Sequence, residues 1–444
     1  DSYSGGSTYW AVLGGAGYLN CQTVIHGNEL WKITPASAGL VGEIGVGESD
    51  YVGNPRHNIT YNGNVYFTAW KSALGREIYK TDGTSITLLK DIMPGNPEGG
   101  PFTSGPLSFY VYNGELYFTA DDGTNGRELW KTDGTSAGTV MVDDVAAGSA
   151  DGMGNTTEYE TAGGALFITS NGRLYRTFGL AAPGSIVEVD PLYSNCQYMA
   201  ELGGNLILQA DDGSGTYGEE VYKCDGTTFT LLSDSIPGAV GGRAWYCTKL
   251  GSKVFFYAQN ETYTPSWSTT PRSANAELWE TDGTAAGTLL HKDINTNINA
   301  ANGYSESSYP SNLMEHAGTL YFTANDGNDG SYNTELWFTQ GTVASTQGVE
   351  IKTGGGSSPG NMVPLNASKI AFKANDGING TELWESNGTV AGTILAWDYT
   401  SGDSIGSGDN SGSNAKPLPK LFDNQLIVHA DPRYAVNNIG TEIH

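Results

Sequence analysis

The chain has 444 residues, including 62 glycines, 25 tyrosines and 10 tryptophans, and only 16% are charged. Abundant glycine with abundant aromatics fits many short strands joined by tight turns and excludes a disordered chain. Acidic residues number 48 against 22 basic ones, a formal net charge of −26, which repels phosphate backbones and anionic headgroups and so excludes nucleic acid as a partner.

The chain opens on Asp1, not Met, which reads as a processed, exported chain and predicts an extracellular or cell-surface location. No apolar run approaches the ~20 residues of a membrane span. From there one unit recurs. Its third strand is predicted near Glu29 (NELWKI), Glu77 (REIYKTDGT), Glu128 (RELWKTDGT), Arg173 (RLYRT) and Glu220 (EVYKCDGT). It continues near Glu277 (ELWETDGTAAGT), Glu335 (ELWFTQGT), Glu382 (ELWESNGTVAGT) and Glu442 (EIH), at spacings of 45 to 60 residues. The clearest copy runs from Leu107 to Val145: LSFYVY, the turn Asn113-Gly114, ELYFTA, DDGTNG, RELWKT, DGTSAG and TVMVDDV. Asn-Gly between alternating apolar runs signals a hairpin, and Asp-Gly-Thr supplies the next turn. Alternation puts Leu116, Phe118 and Ala120 on one face and Tyr117 and Thr119 on the other.

Each unit therefore predicts a four-stranded antiparallel meander. A lone meander cannot cover both faces, so units must stack, and radial stacking leaves only short strand edges. The prediction is an all-β fold: a single β-propeller over residues 1–444, with eight or nine blades. The longest connections, Met93 to Pro106 and Asn295 to Ser311, follow fourth strands, as expected where one blade crosses to the next. The last unit stops at His444 inside its third strand, so residues 1–10 are expected to close the ring or to pair with another molecule. The Gly/Ser-rich stretches 354–359 and 401–413 read as surface loops.

These repeats resemble the bacterial family of ELWxxDGTxxGT repeats found in large secreted and surface proteins, and the resemblance covers nearly the whole chain. It implies propeller blades and an extracellular role, and it brings no catalytic residues.

Several constellations are candidates for chemistry. Acids and amides stack before the third strands at Asp121-Asp122-Gly123, Asp211-Asp212-Gly213, Asn325-Asp326-Gly327 and Asn375-Asp376-Gly377. Ca²⁺ takes hard oxygen ligands from such loops, so calcium is the one cofactor expected, at Asp121, Asp122, Asp326, Asp329 and Asp376. Turn capping by the same side chains is the alternative. Cys196, Cys224 and Cys247 fall in neighbouring units and are disulfide candidates, or else buried thiols. The Glu of the ELW strand recurs in eight of nine units, which favours a structural carboxylate with hydrogen-bond partners. Gly402–Gly406 matches G-x-S-x-G, yet lacks the strand and helix of a nucleophile elbow. The six histidines show no zinc spacing.

The function expected on this basis is a non-enzymatic extracellular structural or assembly protein, a filament, surface-layer or adhesin component acting through self-association or other surface proteins. The alternative is a glycan-binding module using Trp70, Tyr263 and Trp267 as stacking platforms. A glycoside hydrolase or lyase ranks last.

Overall fold

Strands whose residues are apolar on both faces need a neighbour on each side, and the second strand of each repeat is of this kind. The computed structural model describes residues 10–397, apart from 24, 35, 45–52, 95–103, 155–156, 264–271, 300–302, 329–332 and 379, together with the strands Lys416–Phe422 and Gln425–His429. The described residues form eight four-stranded antiparallel meanders, the blades of a β-propeller, at 10–42, 53–90, 107–143, 157–188, 194–233, 245–292, 311–349 and 360–397. A hairpin of Lys416–Phe422 and Gln425–His429 follows. The only helical turn among the described residues is the 3₁₀ segment Val343–Ser345. Every predicted third strand from Glu29 to Glu382 is a third strand here. Residues 1–9 and the unit around Glu442, where ring closure was expected, lie outside the described residues.

The chain forms two compact units, 1–171 with 175–188, and 172–174 with 189–444. Within each unit the cores lie between successive blades. In the first, Leu116, Phe118, Ala120 and Trp130 of blade 3 pack on Tyr66, Ile78 and Leu89 of blade 2. The opposite face of the same blade sends Tyr117, Leu129 and Val142 against Leu166 and Ile168 of blade 4. The second unit repeats this between blades 5 and 6, 6 and 7, and 7 and 8. First strands of successive blades lie beside one another within each unit, so they are the innermost strands.

Each letter of the repeat has a physical task. In blade 3 the Asp133 carboxylate accepts from the Thr135 N–H at 2.8 Å and its hydroxyl at 2.7 Å, closing the turn. Thr132 and Thr139 join hydroxyls at 2.8 Å across the base of that turn. Gly134 has φ +96°, and a Cβ there would sit 2.6 Å from the Tyr66 phenol oxygen of the preceding blade. Its carbonyl accepts from Lys80 Nζ of that blade at 2.7 Å. The lysine clamp recurs as Lys131 to Gly179 and Lys223 to Gly283. Cys224 stands where other repeats place this turn hydroxyl, and its sulfur accepts from the Gly226 N–H at 3.3 Å.

The repeated Glu is the main tie between a blade and the connection leaving it. Glu277 is fully buried. It accepts from the N–H of Ile294 at 2.8 Å, the N–H of Ser308 at 2.9 Å and the Ser308 hydroxyl at 2.6 Å. Glu128 holds the N–H groups of Val145 and Gly152, at 3.2 and 2.9 Å. Glu77 binds the Ile92 N–H at 2.9 Å and the Ser104 hydroxyl at 2.7 Å, one near each end of its connection. Burial pushes the carboxyls of Glu77, Glu128, Glu220, Glu277 and Glu335 up to about 7, against the pull of these donors.

Two outcomes follow. Glu277→Ala strands two buried N–H donors and should destabilise the fold by roughly 2–5 kcal/mol in chemical denaturation; a change below about 1 kcal/mol would show that the clamp is dispensable. The five carboxyls hold their protons in the folded state between 4.5, the ordinary value, and about 7. Their stabilisation is therefore complete below 4.5 and lost as pH rises through 7. The melting temperature should fall from pH 5 to pH 8, and Glu→Gln substitutions at these sites should flatten the profile; a melting temperature that rises over this range contradicts the assignment.

Candidate functional site

The first strands carry the most unusual backbone. In blades 5 to 8, residues three apart take positive φ: Asn195 and Tyr198, Arg243 and Tyr246, Tyr309 and Asn312, Ser358 and Asn361. The pairing registers break at the same places, marking bulges. Asn tolerates the left-handed region, whereas Tyr and Arg there are outliers that cost about 1–3 kcal/mol each and cluster at functional positions. Tyr198, Arg243, Tyr246 and Tyr309, at φ +56°, +63°, +62° and +49°, concentrate that strain in blades 5, 6 and the entry to 7.

The bulges bring one aromatic group together. The Trp245 ring stacks on Tyr257 at 5.0 Å and 13°, and the Arg243 guanidinium lies over Trp245 at 4.9 Å. Tyr198 meets Tyr246 at 5.5 Å and Trp245 at 6.3 Å. Tyr257 is buried, and burial raises its phenol, helped by the nearby phenols of Tyr309 and Tyr246 and opposed by Arg243. Tyr246 and Tyr309 stay 38% and 59% exposed. Arg243 Nε also stands 3.7 Å from Glu219. The arrangement is thus a rigid aromatic floor of Trp245 and Tyr257, two accessible tyrosines and one half-exposed guanidinium. It offers flat apolar faces, phenol hydroxyls and a forked donor, one edge of which faces Glu219.

Among the described residues, those predicted from sequence form no common cluster. Trp70 is half-buried on the strand Asn64–Lys71, in register with Arg76. Tyr263 pairs with Arg272 at the end of its strand, its side chain outside the described residues, as is all of Trp267. Asp121 caps Gly123, and Asp122 accepts from the N–H groups of Thr124 and Asn125. Asp326 accepts from the Asn328 N–H and side-chain amide, and Asp376 from the Ile378 N–H. Asp329 lies outside the described residues. Among the described residues no three His, Cys, Asp or Glu side chains converge as metal ligands. Cys196, Cys224 and Cys247 stand as thiols, the alternative the sequence left open beside a disulfide; the turn role of Cys224 accounts for its burial.

One acid–imidazole–hydroxyl chain exists. His291 Nδ1 is 2.7 Å from Glu280 Oε2, and Nε2 is 2.7 Å from the Thr346 hydroxyl. Glu280 also binds Lys253 at 2.6 Å, the reverse of the Glu115–Lys131 pair of blade 3. Burial holds the imidazole below its ordinary value, against the pull of Glu280. His291 and Thr346 are 3% and 2% exposed, so nothing from solvent reaches the hydroxyl. The chain links blade 6 to blade 7 and is a packing element.

No family model and no curated protein matches the chain. Solved structures do. It is similar to a puromycin hydrolase at 9% identity, covering 84% of this chain and 58% of that one, with a TM-score of 0.38. A prolyl endopeptidase matches at 13% over 78% of this chain and 50% of that one, TM-score 0.42. The β-propeller domain of the Trilobed protease from Pyrococcus furiosus matches at 12% over 79% and 98%, TM-score 0.36. The chain spans about three fifths of the puromycin hydrolase. These matches are to enzymes and to a protease domain, which corrects the expectation of a non-enzymatic structural protein. At such identities they bring neither a catalytic residue nor a substrate to this chain. The correction has a physical reason: sites grafted onto a fold assemble from distant residues, so the lack of a short linear motif excludes little. Among the described residues no helix is long and apolar enough to cross a membrane.

The packing role of His291 is open to test. Leu89, Val142 and Leu232 fill the same bulge position of the fourth strand in other blades. His291→Leu should fold with stability within about 1 kcal/mol of the parent. A loss above about 3 kcal/mol would make the polar chain a required part of the packing.

Proposed function

We propose that this propeller recognises extended, proline-rich polypeptide segments on the innermost strands of blades 5 to 7. The observation that supports this reading is the pair of strained, solvent-accessible tyrosines, Tyr246 and Tyr309, set beside the Trp245–Tyr257 stack. Aromatic-lined surfaces receive polyproline II segments because that helix arrives preformed, with its carbonyls free to accept. The tyrosine hydroxyls and the Arg243 guanidinium are the donors such carbonyls require. Trp245 is covered on one side by Tyr257 and approached on the other by Arg243, so it does not present the open face that sugar stacking needs. Rigid rings held by backbone strain lose little freedom on binding, which favours affinity. The net charge of −26 favours segments with basic flanks and speeds their encounter at low salt.

Titration of the full chain with a proline-rich peptide carrying arginine at both ends, followed by tryptophan fluorescence, should give saturable binding that weakens with salt. Tyr246→Ala and Tyr309→Ala should each weaken it by about tenfold, the scale of an aromatic anchor. A glycine–serine peptide of equal charge should not saturate. Equal binding of both peptides, or binding untouched by either substitution, rejects the reading.

A further inference from the structure

Blade 4 breaks the repeat at the turn between its third and fourth strands. Where blade 3 reads Asp133-Gly134-Thr135, blade 4 reads Phe178-Gly179-Leu180. The carboxylate and hydroxyl that close the turn in blade 3 thus give way to apolar side chains, and these stay 59% and 70% exposed. Ala181, Ala182 and Pro183 follow, all exposed, and Val187 on the fourth strand, Ile186–Glu188, is 48% exposed. Arg176 pairs with Val187 across the strands, and its guanidinium lies over the Phe178 ring at 5.6 Å. From Ala162 to Val187 the chain carries no Asp or Glu, although it has 48 such residues in all.

The departure is built, because blade 3 holds the altered turn at both ends. Gly179 keeps its left-handed φ of +83°, and its carbonyl accepts from Lys131 Nζ at 2.8 Å, as in other blades. The far end is held by a second departure. Opposite Ile78 and Leu278, blades 2 and 6 place Lys90 and Lys292. Each lysine donates to a threonine carbonyl of the next blade, Thr139 and Thr346, at 2.6 and 2.7 Å. In the same register, opposite Leu129, blade 3 has the buried Asp143. Its carboxylate accepts from the N–H groups of Gly184 and Ile186 at 3.0 and 2.9 Å. An acid replaces the lysine because this turn presents N–H donors where the others present a carbonyl. The apolar platform is therefore fixed before anything meets it, which lowers the cost of association.

We infer that two copies of this chain associate reversibly on blade 4, turn against turn, about a two-fold axis beside the strand Ile186–Glu188. Contiguous exposed apolar side chains mark interaction surfaces, and charge selects the partner. Copies that each carry a net charge of −26 repel one another, so they meet best through a stretch without acids. The fourth strand is the edge of its sheet, flanked by Arg176 and ending on Glu188. A two-fold rotation carries each arginine toward the glutamate of the other copy while the apolar groups meet between them. Such a contact is self-complementary and closes at two copies, so it does not extend into fibres. So few side chains place it among small interfaces, under about 1,200 Å² in total, whose pairs are transient.

Sedimentation velocity of the full chain, at concentrations up to about 0.5 mM, should show a monomer–dimer equilibrium. Salt screens the repulsion between two acidic copies, so the dimer should tighten as sodium chloride rises from about 0.05 to about 0.5 M. Phe178→Asp combined with Leu180→Thr rebuilds the turn of blade 3. It should keep or raise the melting temperature and weaken dimerisation by about tenfold or more. Val187→Lys tests the strand independently, since a lysine on an exposed edge opposes pairing. A chain that stays monomeric throughout overturns the proposal and leaves the patch to a different protein. So does a dimer that survives both changes, one that salt dissolves, or a species that keeps growing beyond two copies.

Discussion

A carboxylate buried in every described blade but the fourth, where Arg173 stands instead, and tied to the connection that leaves the blade, is the constraint on which the rest depends. A connection of a dozen residues between meanders carries N–H groups that no strand can satisfy. The ELW glutamate supplies the missing acceptors from inside the blade, so the connection folds against its own sheet and delivers the next first strand at a set position. Ile92 and Ser104 on Glu77, Ile294 and Ser308 on Glu277, and Gly242 on Glu220 are the same device. Only then can second strands bury both faces between neighbours. The hydrophobic cores follow from this clamp, since without it the blades have no fixed spacing at which to interdigitate.

Much of this was legible because repetition multiplies weak signals. Blade 3 follows its sequence reading closely: Leu107–Tyr112, Glu115–Asp121, Arg127–Thr132 and Val140–Asp143 are its strands. The structural use of the Glu also followed from its recurrence, because chemistry seldom needs the same acid in every unit. Asp121, Asp122 and Asp326 could be read as turn caps or as calcium ligands, since both roles use the same oxygen at the same spacing. In the structure those oxygens face their own backbone N–H groups. Cys224 left two readings open for a related reason: a thiol stands in for a hydroxyl by shape and acceptor, which a count of cysteines cannot reveal.

The aromatic site was not legible, and the cause lies in the backbone. Tyr198, Tyr246 and Tyr309 read as ordinary strand aromatics, because alternation places a side chain in or out but says nothing of φ. A bulge turns the strand locally and re-aims one side chain. Three such bulges, spread over more than a hundred residues of sequence, gather rings that no linear spacing relates. The residues that follow the first strained residue of each pair are Cys196, Ala244, Pro310 and Pro359, two small and two proline, with no shared pattern to read.

Function in such a repeat belongs where a blade departs from the pattern its siblings share. Positions that recur are held by the clamp, the turn and the packing, and altering them unfolds a blade before it alters a ligand. Departures are free to differ because the clamp has already set the frame around them. His291 departs inward, replaces an apolar side chain and is sealed, so it contributes packing. Tyr246 and Tyr309 depart toward solvent, on strands whose strain the surrounding sheets sustain. Burial separates the first case from the second, and accessibility of a strained group is the physical criterion that singles out sites in a chain built from copies of itself.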